Sequence, residues 1–155
     1  MKQAVIVSTA RTGLAKSFRG SFNMTHGATL GGAAAQAAVE RSGVDAGLIE
    51  DCIVGCGFPE GVTGSNIARQ IAIRAGLPVT TCGMTINRFC SSGLEAIALA
   101  ALRVQAGWSD ITIGGGVESM TYVPMGGSIP RPHPLYSKTE SELFISMGLT
   151  AENVA

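Results

Sequence analysis

Charge is scarce in this 155-residue chain: only 14% of its residues are Asp, Glu, Lys or Arg, against roughly 25% in a typical soluble domain. So little charge implies that much of the surface is buried, inside the chain or against a partner. The charges that are present cancel, 11 basic against 11 acidic, and the sequence pI is about 6.7. No run of Lys or Arg supplies the electrostatic footprint of a nucleic-acid binder. No apolar stretch approaches the roughly 20 residues that span a bilayer. The amino terminus also lacks the small-residue cleavage site of a signal peptide. These absences predict a cytoplasmic protein with neither nucleic acid nor membrane as a partner.

Two familiar site types are missing as well. Cys52 and Cys56 form a close pair, but no second pair and no nearby His completes a zinc site. No metal is therefore expected, and a disulfide framework is not expected in a reducing compartment. Both cysteines sit in an apolar run, where cysteine acts as a small core residue. Gly55, Gly57 and Gly61 have the wrong spacing for a dinucleotide loop, and no Gly-Lys-Ser/Thr occurs. No nucleotide cofactor is expected. Histidine is limited to His26 and His133.

What is present is apolar and glycine-rich. Hydrophobic residues make up 46% of the chain and mean hydropathy is +0.31, as in a globular protein rather than a disordered one. The 21 glycines are about twice the usual share. They follow no period, so they read as tight turns and close backbone contacts.

Patterning predicts alternating elements. Residues 4–8 read as a buried first strand, being apolar with a β-branched bias. Residues 28–42 form an Ala-rich helix ended by Gly43. Asp45 caps a turn into a strand over 52–56. Ser65 is expected to cap a helix through Arg74, stopped by Gly76 and Pro78. A strand spans 80–87, and a helix over 91–106 carries Leu94, Ile97, Ala98, Ala101 and Val104 at helical spacing. A strand over 110–114 runs into further glycines. This alternation argues for an α/β layer structure with a mostly parallel sheet. After Tyr122, Pro124, Pro130, Pro132 and Pro134 break the pattern. Residues 1–121 are thus read as one α/β domain and 122–155 as the start of an excursion, in which a helix begins near Thr150. The chain stops five residues later, which reads as a truncation.

The most informative segment is Ile86-Asn87-Arg88-Phe89-Cys90-Ser91-Ser92-Gly93-Leu94. It places a cysteine between a strand and the amino end of a helix, where unpaired N–H groups and the helix dipole favour negative charge. The dipole alone is too weak for full activation, so a general base, His by preference, must complete such a site. Asn87, Cys90, Ser91, Ser92, Gly93, Leu94, Ala96 and Ile97, with Val104, resemble the active-site signature of the thiolases. Residues 7–12, the run from Gly64 to Gln70, the run from Gly114 to Met120, and residues 146–155 resemble thiolase segments in the same order. The likeness is weakest over 125–143.

That resemblance implies an amino-terminal thiolase half: a half-domain with a mostly parallel mixed sheet, plus the start of a loop subdomain. It implies acyl transfer between Cys90 and CoA, as thiolysis of 3-ketoacyl-CoA or as Claisen condensation. CoA and acyl-CoA are then substrates, and no prosthetic group is required. It further implies that the Cys90 N–H forms part of an oxyanion hole and that Met147 lines the acyl pocket. The strand near 80–87 would pair across a two-fold axis, giving a homodimer or homotetramer. The loops around Gly64–Gln70 would approach the partner's active site. The family's other catalytic groups, an Asn in an Asn-Glu motif, a His in Gly-His-Pro and a second Cys followed by glycines, do not occur as motifs in these 155 residues. Neither His26 nor His133 lies in such a motif, so the isolated chain is expected to be inactive. The half-domain's last strand would also follow the excursion, leaving the sheet without an edge. Ser146 stands where biosynthetic members often carry His, which disfavours strict acetoacetyl-CoA specificity. Two alternatives remain: a non-catalytic truncated or split subunit that completes a partner chain, and a ketosynthase-type condensing enzyme.

Overall fold

The computed structural model describes residues 2–155. Among them are three strands, β1 (Asp51–Gly55), β2 (Cys82–Ile86) and β3 (Thr112–Gly116). The helices are α1 (Gly27–Ser42), α2 (Ile67–Arg74), α3 (Ser92–Ala106), α4 (Tyr136–Thr139) and α5 (Met147–Val154). The sheet order is β2-β1-β3, all parallel, with Asp51 in register with both Cys82 and Thr112. Each parallel step needs a crossover, and α2 and α3 supply them.

β1 is the centre of this arrangement because both of its faces are covered, and all five of its residues are buried. Cys52 and Val54, continued by Cys56, point to one side. There they pack with Ile67, Ala68, Ile71 and Ala72 of α2 and Ala35 of α1. Ile53 points to the other side, among Ala96 and Ala100 of α3 and Met84, Ile86 and Leu99. Ile53 is fully buried, which is worth about 1.5–3 kcal/mol. The expected α/β layering with a parallel sheet is thus observed, and both cysteines of the close pair are core residues.

Glycines let α3 approach the sheet. A methyl group at Gly114 would lie 2.8 Å from the Ile97 Cα and 3.1 Å from the Ala100 Cβ, and one at Gly55 would overlap the Ser92 backbone. Close backbone approach of this kind is a standing reason for glycine inside a strand. β3 runs to Gly116 instead of ending at residue 114 as the patterning predicted, because Gly115 and Gly116 pair with Val54 and Gly55 of β1.

Other boundaries differ in informative ways. Residues 4–8 are not a buried strand. Among the described residues no strand pairs with them, and Val5, Ile6 and Val7 are 66–75% exposed. The segment is tethered instead at Lys2, bonded to Asp110 at 2.5 Å, and at Thr9, whose carbonyl accepts from Arg41 at 3.1 Å. Branching and apolarity record what a segment could bury, not whether a neighbour is beside it. The N-cap of α2 is Asn66, not Ser65, and both have positive φ. The Ala68 N–H in its first turn is accepted by Thr85 Oγ1 of β2, so a neighbouring strand does the capping. Gly43 does close α1 in the left-handed conformation, as expected. In the proline-rich stretch, α5 starts at Met147 with Ser146 as its cap, three residues earlier than read from the sequence.

The close approach of α3 is testable. Gly114→Ala is expected to cost about 1–3 kcal/mol in denaturation experiments, as overpacking does. Gly115→Ala, whose added methyl meets nothing within 4 Å, should stay within about 0.5 kcal/mol.

Candidate active site

β2 ends at Ile86, and the chain must turn sharply to start α3. Asn87 makes the turn: its Oδ1 accepts from the Phe89 N–H at 2.8 Å, and its Nδ2 donates to the Gly57 carbonyl at 2.9 Å. An Asn side chain bonded to the backbone two residues on is a recurrent turn device. Ser92 closes the same turn from the helix side. Its Oγ accepts from the Arg88 N–H at 2.8 Å and donates to the Phe89 carbonyl at 2.6 Å. Between these clamps Phe89 takes φ +44°, a conformation that costs a bulky residue about 1–3 kcal/mol. The Phe58 and Phe89 rings, 6.2 Å apart, support it from the side.

Cys90 lies in the middle of the resulting 3-10 turn, Phe89–Ser91, directly before the 15-residue α3. Its side chain is exposed. The N-cap residue of α3, Ser91, makes no side-chain cap bond, and the Ser92 hydroxyl is turned back onto Arg88 and Phe89. No side chain therefore caps the first turn of α3, and its N–H groups at Ser91 and Ser92 are bonded to the Arg88 and Phe89 carbonyls. An exposed thiol at such a helix start can attack an electrophilic carbon and have the developing oxyanion stabilised next to it.

The other cysteines do not share this setting. Burial, with Asp51 beside it, pushes the Cys52 thiol up to about 12. Burial, with Glu118 beside it, pushes Cys56 up to about 11. Cys82 is exposed but lies at the start of β2.

The remaining sequence candidates are not gathered at Cys90. Met147 opens α5 and is 61% exposed, and α5 makes no extensive packing with α3 or the sheet. His26 caps α1, its Nδ1 accepting from the Ala28 N–H at 3.1 Å. His133 is exposed, accepts from the Leu135 N–H and lies 4.4 Å from the Tyr136 ring. Neither histidine is bonded to Cys90. On the β2 edge, Asn66 donates to the Gly83 carbonyl at 2.9 Å and accepts from Thr85 Oγ1 at 2.9 Å. The clamping roles of Asn87 and Ser92 went unassigned from sequence, although an Asn two residues before a strained position is itself a turn signal.

Comparison with known proteins gives this geometry a context. A family model described as thiolase, N-terminal domain, matches residues 4–155. The 3-ketoacyl-CoA thiolase of Bacillus subtilis is 45% identical over 155 residues, all of this chain and 40% of that protein. The acetyl-CoA acetyltransferase of Escherichia coli is 41% identical over 124 residues, 80% of this chain and 31% of that protein. Among solved structures, the Acat5 thiolase from Ascaris suum in complex with coenzyme A superposes with a TM-score of 0.81 at 33% identity. That superposition covers 99% of this chain and 42% of the Ascaris one. The chain thus spans about 40% of the length of such relatives.

Two measurements probe the cysteine environments. With iodoacetamide at pH 7.5, peptide mapping should find Cys82 and Cys90 labelled in the folded protein, and Cys52 and Cys56 protected until denaturant is added. The buried thiols also set an alkaline limit. Their folded values lie above the roughly 8.5 of a free thiol, so the protonated forms stabilise the fold below that pH. This contribution is lost as pH rises toward 11–12. Denaturation midpoints should fall between pH 9 and 11, and Cys52→Ala/Cys56→Ala should flatten the decline.

Proposed function

The chain belongs to the thiolase family, and from that membership we propose that it carries the nucleophilic half of an acyl-CoA acetyltransferase site. The observation that supports this most is the placement of Cys90: exposed, held on a strained turn, and set at the amino end of α3, which no side chain caps.

In the thiolytic direction the Cys90 thiolate attacks the 3-keto carbon of a 3-ketoacyl-CoA. The oxyanion that forms is stabilised by N–H groups at the helix start, that of Cys90 among them. Collapse breaks the bond between the second and third carbons, and the departing acetyl-CoA carbanion takes a proton from an acid outside residues 1–155. The acyl group is left on Cys90 as a thioester. A CoA thiolate, deprotonated by a base also outside these residues, then takes the acyl group and frees the cysteine. Claisen condensation is the same sequence reversed. CoA and acyl-CoA are substrates here, and the reading needs no prosthetic group.

Further parts of the proposal draw on specific features. The flexible thioether of Met147 suits an acyl pocket wall, with residues 122–155 forming a loop subdomain distinct from residues 1–121. Nearly all of that stretch beyond Pro124 is exposed, as a segment awaiting a further surface would be. β2 is an edge strand, which suits strand pairing in a homodimer or a homotetramer built from it. A cytoplasmic setting is in keeping with four free cysteines. No helix among the described residues is long and apolar enough to cross a membrane.

A second reading, a non-catalytic subunit that completes a partner chain, is favoured by one observation. α3 exposes Leu94, Ile97 and Leu102 at 72, 44 and 57%, apolar side chains that the sheet leaves uncovered. Such exposed apolar groups are what a second half would cover.

The readings separate by experiment. The 155-residue chain alone should show negligible thiolysis, and a carboxy-terminal thiolase half supplied in trans should restore it. In that assembly acyl-CoA should label Cys90, and Cys90→Ala should lower turnover by at least about a thousandfold. Turnover by the Cys90→Ala protein sinks the assignment, whereas a stable assembly with neither label nor turnover supports the non-catalytic reading.

A further inference from the structure

Glu118 lies outside the cysteine turn, yet its carboxylate reaches the loop on which that turn rests. It follows directly on β3, whose ladder continues as the Val117 N–H donates to the Gly55 carbonyl at 3.0 Å. The Glu118 carboxylate accepts from the Gly57 N–H at 2.7 Å and more distantly from the Phe58 N–H at 3.4 Å, and the Cys56 thiol lies 3.5 Å from it. The Gly57 carbonyl, on the same residue, is the acceptor of the Asn87 side chain, and the other end of that side chain holds the Phe89 N–H. A methyl group on Gly57 would lie 2.9 Å from Glu118 Oε2 and 3.6 Å from the Phe89 backbone. Carboxylate, loop and turn are thus stacked at one glycine.

We propose that Glu118 is a positioning residue for Cys90, acting through Gly57 and Asn87 to hold Phe89 in its left-handed conformation. This rests on the reading of Cys90 as nucleophile. Hydrogen bonds to a carboxylate are about twice as strong as neutral ones. Glu118 therefore anchors the loop at its charged end, and Asn87 transmits that anchor to the strained residue. Without it Phe89 relaxes toward negative φ, and Cys90 swings away from the amino end of α3. The strain is held from outside the turn, by the strand that closes the sheet.

The test is alkylation of the 155-residue chain by iodoacetamide across pH 6–9.5, with each cysteine quantified by peptide mass spectrometry. Cys82 is exposed like Cys90 and serves as the internal reference. In Glu118→Ala the ratio of Cys90 to Cys82 labelling at pH 7 should drop about three- to tenfold, the scale of losing a helix-end interaction. The pH dependence of Cys90 labelling should move to higher pH while that of Cys82 stays. Asn87→Ala should do the same, and the double variant should do no more than either single one, since both interrupt one relay. Glu118→Gln, which keeps an acceptor for Gly57, should recover most of the ratio. An unchanged ratio in Glu118→Ala overturns the proposal, and so do effects of the two single variants that multiply. Labelling of Cys52 or Cys56 in Glu118→Ala also overturns it, because the residue would then be holding the core rather than the turn. The assay uses no acyl-CoA. Intact relay behaviour with no acyl label on Cys90 would count against the thiolase chemistry alone, and acyl labelling without the relay signature would count against Glu118 alone.

Discussion

The near-contact between α3 and the carboxyl ends of β1 and β3 is the constraint on which the rest of the molecule depends. It is possible only because Gly55, Gly114 and Gly116 place no side chain between helix and sheet; a methyl at Gly116 would stand 3.2 Å from the Gly93 Cα. With the helix seated so low, β2 must turn into α3 within a few residues. That sharp turn is what lifts Cys90 out to solvent. The core therefore fixes where the turn must lie, and the polar contacts set how Cys90 is presented on it.

The turn then stores strain that the polar network repays. Phe89 is one of four non-glycine residues with positive φ among the described residues, with Phe18, Ser65 and Asn66. Of the other three, Phe18 shares the arrangement of Phe89, its N–H donating to Thr121 Oγ1, whereas Asn66 is held by its own side chain, which donates to the Gly83 carbonyl and accepts from Thr85 Oγ1. At the opposite end of the sheet the logic is ionic. Asp51, 4% exposed, is paired with Arg103 at 2.9 Å. One carboxylate oxygen of Asp51 and the Arg103 Nε have no further partner, so part of the desolvation cost of the pair goes uncompensated.

Much of this was legible in the residues. The apolar run at 52–56, the Gly43 cap and the extent of α3 all appear within a residue or so of where pattern places them, because each is decided locally. What was not legible was decided between elements. β3 extends through three glycines whose strand propensity is poor, since pairing with Ile53, Val54 and Gly55 of β1 overrides it. Residues 4–8 have the composition of a strand but no described strand beside them. Asn66 takes the capping position while its side chain serves β2. At the candidate site the cysteine was visible through its motif. Its supports at Gly57 and Glu118 lie 33 residues before and 28 residues after it in sequence, and no local window holds all three.

A sheet ordered β2-β1-β3 also has a history in time. β1 can pair with β2 after about thirty residues of intervening chain, but its second partner, in register from Thr112, emerges roughly sixty residues after it. At ribosomal speeds of about 5–20 residues per second, the central strand spends seconds with one edge open, and its Ile53 face waits for α3. Loop closure over such separations is slow. The interval between the emergence of Gly55 and of Gly116 is thus the period in which a nascent chain is most exposed to pairing with the wrong strand, its own or a neighbour's.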